Sequence, residues 1–238
     1  MDPRGIEIVR HLEEVAADRR QRRAEPGLDK RVHAIKDYQH RRFQQTYADL
    51  LAQPRYARAA RFFLDELYGP HDFTERDAQF ARIVPTLVRL FPREIIGTVA
   101  TLAHLHALSE QMDTLMARQL SGLPVTAADY ARAWRSVGRA ADRERQIQFM
   151  HAIGSALDHY TANALLRHTL RMMRKPAAFA GLGALQQFLE TGFDTFRELR
   201  GAEPFLQTIS GRERLLAATL FDHDQAIPPD FLAAERIA

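Results

Sequence analysis

The stretch Pro92–Leu120, PREIIGTVATLAHLHALSEQMDTLMARQL, decides the fold class. It opens at Phe91-Pro92, where proline suits the first turn of a helix, and closes at Ser121-Gly122-Leu123-Pro124. No alternation of β-branched residues interrupts it. At 1.5 Å per residue an unbroken helix here spans about 43 Å. Ile95, Val99 and Leu102 share one side of it with His106, Glu110 and Asp113, so that side faces protein.

Outward from this helix the same periodicity continues, with Gly and Pro as punctuation. Helices are predicted over Ile6–Arg23, Leu28–Ala52 and Tyr56–Leu67, the first pair separated by Glu25-Pro26-Gly27. Thr74–Asp77 and Thr126–Asp129 have the spacing of capping boxes, with Asp in place of the usual Glu. The helix after Thr74 contains Pro85, which predicts a kink or a stop. Tyr130–Val137, Ala140–Leu166, Ala184–Leu199 and Pro204–Phe221 follow, with loops at Arg174-Lys175-Pro176 and Gly181-Leu182-Gly183. No strand or hairpin signal and no internal repeat accompanies them. The expected architecture is all-α: a multi-helix, mainly antiparallel bundle over residues 28–222, with a basic helical arm at 1–27 and a tail at 223–238.

Composition narrows the chemistry. The chain has 238 residues, 33 Lys+Arg against 30 Asp+Glu, and no cysteine. Disulfides, thiolate metal centres and a cysteine nucleophile are therefore excluded. No apolar run reaches the ~18 residues of a membrane span, and the first ten residues lack a signal-peptide core, so a cytoplasmic protein is expected. Charge is uneven: Arg19–Arg42 holds nine bases and three acids. Arg19, Arg20, Arg22, Arg23, Arg31, Arg41 and Arg42 are the candidate nucleic-acid contacts, since guanidinium forks suit phosphate. The competing reading is a solvated helix face, favoured because no groove-reading motif accompanies the charge.

The run Phe62–Asp77, FFLDELYGPHDFTERD, reads first as a packed corner. Phe62 and Phe63 anchor a core, Tyr68-Gly69-Pro70 turns the chain, and Asp72 or Thr74 can cap the next helix. This run resembles the signature of a family of uncharacterised all-helical bacterial proteins. The stretches His106–Glu110, Asp142–Gln146 and Gly181–Gln186 are similar to that family too. The resemblance covers roughly Tyr56–Phe221. It implies an all-helical domain and supplies no activity, cofactor or catalytic residue.

The usual catalytic patterns are missing. There is no Gly-rich phosphate loop, no Gly-x-Ser-x-Gly elbow, no His-Glu-x-x-His and no Glu-x-x-His. One constellation remains. His106, Glu110 and Asp113 lie within about 60° of each other on their helix, and Glu144, His151 and Asp158 form a second stripe spaced by sevens. If the two helices pack side by side, these six residues offer nitrogen and oxygen ligands for zinc, manganese or iron. The alternative is a hydrogen-bonded seam that sets helix register, which the spacing favours because nothing forces convergence on one point. A haem held by a histidine in an apolar pocket is a further cofactor candidate. Met172, Met173, Phe179, Leu182, Leu185 and Phe188 read as core filling, or as an adaptable partner surface.

The sequence therefore points to a non-catalytic helical binding protein, for a protein partner, a second copy of itself, or a small apolar ligand. A metal- or haem-binding bundle is the alternative, and weak nucleic-acid association the third.

Overall fold

Helix α1 (Pro3–Ala24) begins where the Asp2 carboxylate accepts from the Arg4 backbone N–H at 2.9 Å. The computed structural model describes residues 2–67, 69 and 73–222, and every regular element among them is a helix. Gly27, at φ +74°, makes the turn into α2 (Leu28–Thr46), a conformation that a side chain would strain. The expected helix to Ala52 breaks at Tyr47, and α3 (Ala48–Ala52) follows it. Tyr47 is fully buried, and its hydroxyl donates to Glu213 at 2.7 Å, which ties the break to the C-terminal helix.

Helix α4 (Ala57–Phe62) passes into a π-helical turn at Phe63–Leu67. Phe62 stacks on Phe188 and Phe63 meets Phe205 edge-on, so both expected anchors are in the core. Gly69 is buried; Tyr68, Pro70 and Asp72 lie outside the described residues. Helix α5 (Thr74–Leu90) runs through Pro85 rather than stopping there. Thr74 does not cap it: the N-cap residue is Phe73, without a side-chain bond. The Asp77 carboxylate is turned inward to Arg19 and His106 instead. At Thr126–Asp129 both reciprocal bonds of the capping box are present.

Helix α6 (Arg93–Arg118) is the long central element. After it come α7 (Ala127–Val137) and α8 (Ala140–Thr161). The latter ends short of Leu166 because the Asn163 side chain accepts from the Leu165 and Leu166 N–H groups and starts α9 (Ala164–Met172). Arg174-Lys175-Pro176, expected as a loop, is the first turn of α10 (Arg174–Phe179), where proline lacks no needed donor. Helices α11 (Gly183–Leu199) and α12 (Glu203–Phe221) complete the described fold. The tail beyond Asp222 lies outside the described residues.

Three apolar clusters join these helices. One links α2, α6, α7 and α12 through Ile35, Tyr38, Met116, Trp134 and Leu216. A second links α2 to α4, α11 and α12 through Phe43, Phe63, Phe196 and Phe205. The third lays α1 along α5 and α6 through Ile8, Leu12, Val84 and Ile96. Ala100, Ala103 and Ala107 give α6 a buried stripe of small side chains, which lets a neighbouring helix approach closely. The basic first helix is thus packed against the body by its apolar face. At Gly154 of α8 an added Cβ would strike the buried Leu206 of α12, so glycine permits that crossing.

Candidate functional site

The inner face of α6 carries a buried ionic network. Glu110 is 3% exposed and accepts from Arg22 of α1 at 2.6 Å and from Lys36 of α2 at 2.6 Å. Arg19 approaches it at 3.3 Å. Arg22 is further held by Thr114 Oγ1 at 2.7 Å and Asp18 at 2.6 Å. Burial pushes the Glu110 carboxyl up, but the charges of Lys36 and Arg22 overcome it and hold the group far below the ordinary range. His106 Nε2–H donates to Asp77 at 2.8 Å, and Arg19 pairs with the same carboxylate at 2.9 Å.

Asp113, one turn further along, has the opposite balance. Burial raises its pKa above the usual aspartate range, and Lys36 only partly offsets this. Gln39 Nε2 donates to it at 2.9 Å. A raised folded value means that the native protein takes up this proton before the unfolded chain does. Stability from this group is therefore gained as pH falls from neutrality toward the ordinary aspartate value of about 3.9. Asp113→Asn should melt at a higher temperature than wild type near pH 7.5, with the difference shrinking as the pH is lowered. Melting curves at several pH values check this, and a difference independent of pH would show that Asp113 is charged without cost.

The second stripe does not meet the first. Glu144 faces α12 and is paired with Arg214 at 2.8 Å. His151 Nδ1 lies 3.2 Å from Ser210 Oγ, again on α12. Asp158 is half-buried, further along the helix. Where α6 and α8 do touch, Gln146 donates to Ser109 at 2.9 Å and Arg143 reaches the Met116 sulfur at 3.0 Å. Glu144 and His151 thus face α12 rather than His106, Glu110 and Asp113, and the six do not form a ligand cluster. Among the described residues a different group lies close together: ligand atoms of Glu7, His11 and His104 lie within 4.8 Å of one another. The i, i+4 pair Glu7/His11 is visible in the sequence, but His104 comes from another helix.

The seven candidate arginines do not form one outward face. Arg19, Arg22 and Arg42 point inward, Arg42 as a two-pronged pair with Glu213. Arg41 pairs with Asp37 and Arg31 lies 3.7 Å from Glu25. Arg20 and Arg23 are exposed. Much of the local surplus of positive charge is met by acids brought from α5, α6 and α12 and by neighbours in the chain. The apolar cluster also divides: Met172 and Phe179 are exposed, whereas Leu185 is buried and Phe188 half-buried.

Between the helices lies a cavity of about 380 Å³. Helix α6 lines it from Ile95 to Asp113, which at 1.5 Å per residue is roughly 27 Å of wall. The N-terminal part of that wall is apolar and is matched by Ile83 and Leu87 of α5, Leu157 of α8, Leu170 of α9 and Phe188 of α11. Toward the C-terminal part the lining becomes polar, with His106, Glu110 and Asp113 joined by Lys36, Gln39 and Glu213. Trp134 belongs to that end; its Nε1–H is buried without a hydrogen-bond partner among the described residues, and the Arg143 guanidinium lies 3.8 Å above its ring. Arg76 sits over the Phe73 and Phe188 rings at 3.9 and 4.6 Å. His106 is the histidine among the described lining residues, and its Nε2 is engaged by Asp77, which leaves that nitrogen committed rather than open to a haem iron.

This cavity was not readable from the sequence. Its walls come from helices far apart in the chain, and each apolar lining residue looks locally like ordinary core.

Comparison with curated proteins and with solved structures finds no match. A family model does match, over residues 18–227, and so takes in Arg19–Arg42 as well as the corner and the central helices. The chain belongs to the family described as Domain of unknown function (DUF8198).

Proposed function

We propose that this protein is a non-catalytic carrier or sensor that takes a small amphiphilic molecule into the cavity, its apolar part against α5, α8, α9 and α11 and its polar end near Trp134 and Gln39. The observation that carries this reading is the cavity itself: about 380 Å³ of space with a largely apolar wall and polar groups gathered toward one end. Ligand sites commonly have about 300–1,000 Å³ with that division of lining. A space of this size left empty costs packing contacts along its whole wall, and an apolar guest restores them. Trp134 Nε1–H adds a donor with no partner among the described residues, which a guest's acceptor satisfies. Helix α9 supplies the portal in this reading, because Leu166 and Leu170 line the cavity while none of its residues is buried.

The test uses full-length, delipidated protein and the fluorescent fatty acid 11-(dansylamino)undecanoic acid. Saturable binding is expected, with a ligand-dependent rise in melting temperature. Val99→Trp and Leu157→Trp fill the cavity from two helices and should each weaken binding by about tenfold or more while the helical circular dichroism is kept. Wild-type protein that shows no saturable binding, or variants that bind as well as wild type, would overturn the proposal.

A further inference from the structure

We propose that Glu7, His11 and His104 form a binding site for one divalent transition-metal ion of the zinc, cobalt or nickel class. The site is built on the interface between α1 and α6, apart from the cavity wall at Val99 and Leu157. Ile8 and Leu12 of α1 and Ala100, Ala103 and Ala107 of α6 bury that interface and bring His11 against His104.

The hydrogen bonds of His11 define its tautomer. Nδ1 lies 2.9 Å from Glu14 Oε2, and Nε2 lies 3.1 Å from a guanidinium nitrogen of Arg10. Arginine can only donate, so Nε2 holds the lone pair and Nδ1 carries the hydrogen. A carboxylate on the far nitrogen is the arrangement that orients metal-ligating histidines and raises their basicity. Glu7 Oε1 is 3.9 Å from that same Nε2.

His104 stacks on His11 with ring centroids 4.3 Å apart and planes 15° apart. No ring nitrogen of His104 has a hydrogen bond among the described residues. An imidazole lone pair lies in its ring plane, so the stacked rings do not yet aim at one point; His104, with no hydrogen-bond partner for its nitrogens among the described residues, must turn out of the stack to join the oriented lone pair of His11. The three ligand atoms already lie within 4.8 Å. Bonds of about 2.0–2.1 Å in tetrahedral geometry need them roughly 3.4 Å apart. Rotation of the half-exposed Glu7 and His104 side chains covers that difference, while His11 stays fixed. Two imidazoles and one carboxylate suit zinc, cobalt or nickel better than magnesium or calcium, and leave a fourth position for water. Arg10 is the competitor: a metal must displace its guanidinium from Nε2, and Arg10 is exposed enough to keep Glu14 and give way.

The test is titration of chelator-stripped full-length protein with Zn²⁺ against a chromophoric competitor, and with Co²⁺ by its visible absorption. One equivalent should bind. His104→Ala, at the more open side, should weaken binding by about tenfold or more, as should His11→Ala. Arg10→Gln should tighten binding, because it removes a positive charge from the ligand nitrogen. Zn²⁺ should raise the melting temperature of wild type and not of His104→Ala. Absence of one-equivalent binding, or wild-type affinity in His104→Ala, would overturn the proposal even if His11→Ala failed to fold.

Discussion

Glu110→Leu should destabilise the fold by about 3–5 kcal/mol, the loss expected when one partner of a buried ion pair is removed. Two of the cations that converge on this carboxylate, Arg22 and Lys36, make contacts of 2.6 Å, and Arg22 is as buried as Glu110 itself. Without Glu110, Arg22 keeps only Asp18 as a carboxylate partner among the described residues. For a chain of this size the loss corresponds to a melting temperature lower by roughly 6–20 °C. Glu110→Gln should fall between, since it retains acceptors but not charge. Adding Arg22→Met to Glu110→Leu should return part of the loss, because the stranded charge goes with it; Lys36 still has Asp113 nearby. The sign with pH is also set. Glu110 has a depressed folded pKa, so its contribution is complete above the ordinary glutamate value of about 4.3 and disappears only as pH falls through the depressed one. Urea denaturation at pH 7 measures the effect. A loss under about 1 kcal/mol would mean that the network behaves like a surface pair.

Phe205→Ala should cost about 3–5 kcal/mol, the range for truncating a fully buried phenylalanine. Phe205 is 0% exposed, meets Phe63 edge-on at 5.5 Å and stacks with Tyr56 at 5.8 Å. It therefore joins α12 to the turn after α4, and its removal leaves a hole that the surrounding rings cannot close. Phe179→Ser is the matched control: Phe179 is 93% exposed, and its replacement should change stability by less than about 0.5 kcal/mol. Urea midpoints of the two variants give the comparison directly. Similar shifts in both would show that α10 packs in solution against something that covers Phe179.

The contrast between the two capping boxes shows what local sequence can decide. Thr126 and Asp129 satisfy each other within one turn, and no distant group competes. Thr74 and Asp77 have the same spacing, but Asp77 finds Arg19 from α1 and His106 from α6, and charge-assisted bonds to two cationic or donor groups outweigh one capping bond. Likewise, the position of His106, Glu110 and Asp113 on an inward face followed from helical spacing. Their partners did not. Seven-residue spacing on α8 suggested a second seam against α6, whereas Glu144 and His151 pair with α12.

By itself the sequence determined the helical class, most helix limits and the absence of thiol chemistry, because these depend on periodicity, breakers and residue inventory within a few turns. Tertiary structure decided which charges meet, that Arg19, Arg22 and Arg42 turn inward, that His104 reaches His11, and that a cavity remains between α5, α6, α8 and α11. The physical reason is range. A helix is stabilised by bonds four residues apart, whereas an ion pair, a ligand set or an unfilled volume depends on the rotation and offset of helices that the chain brings together from distant positions.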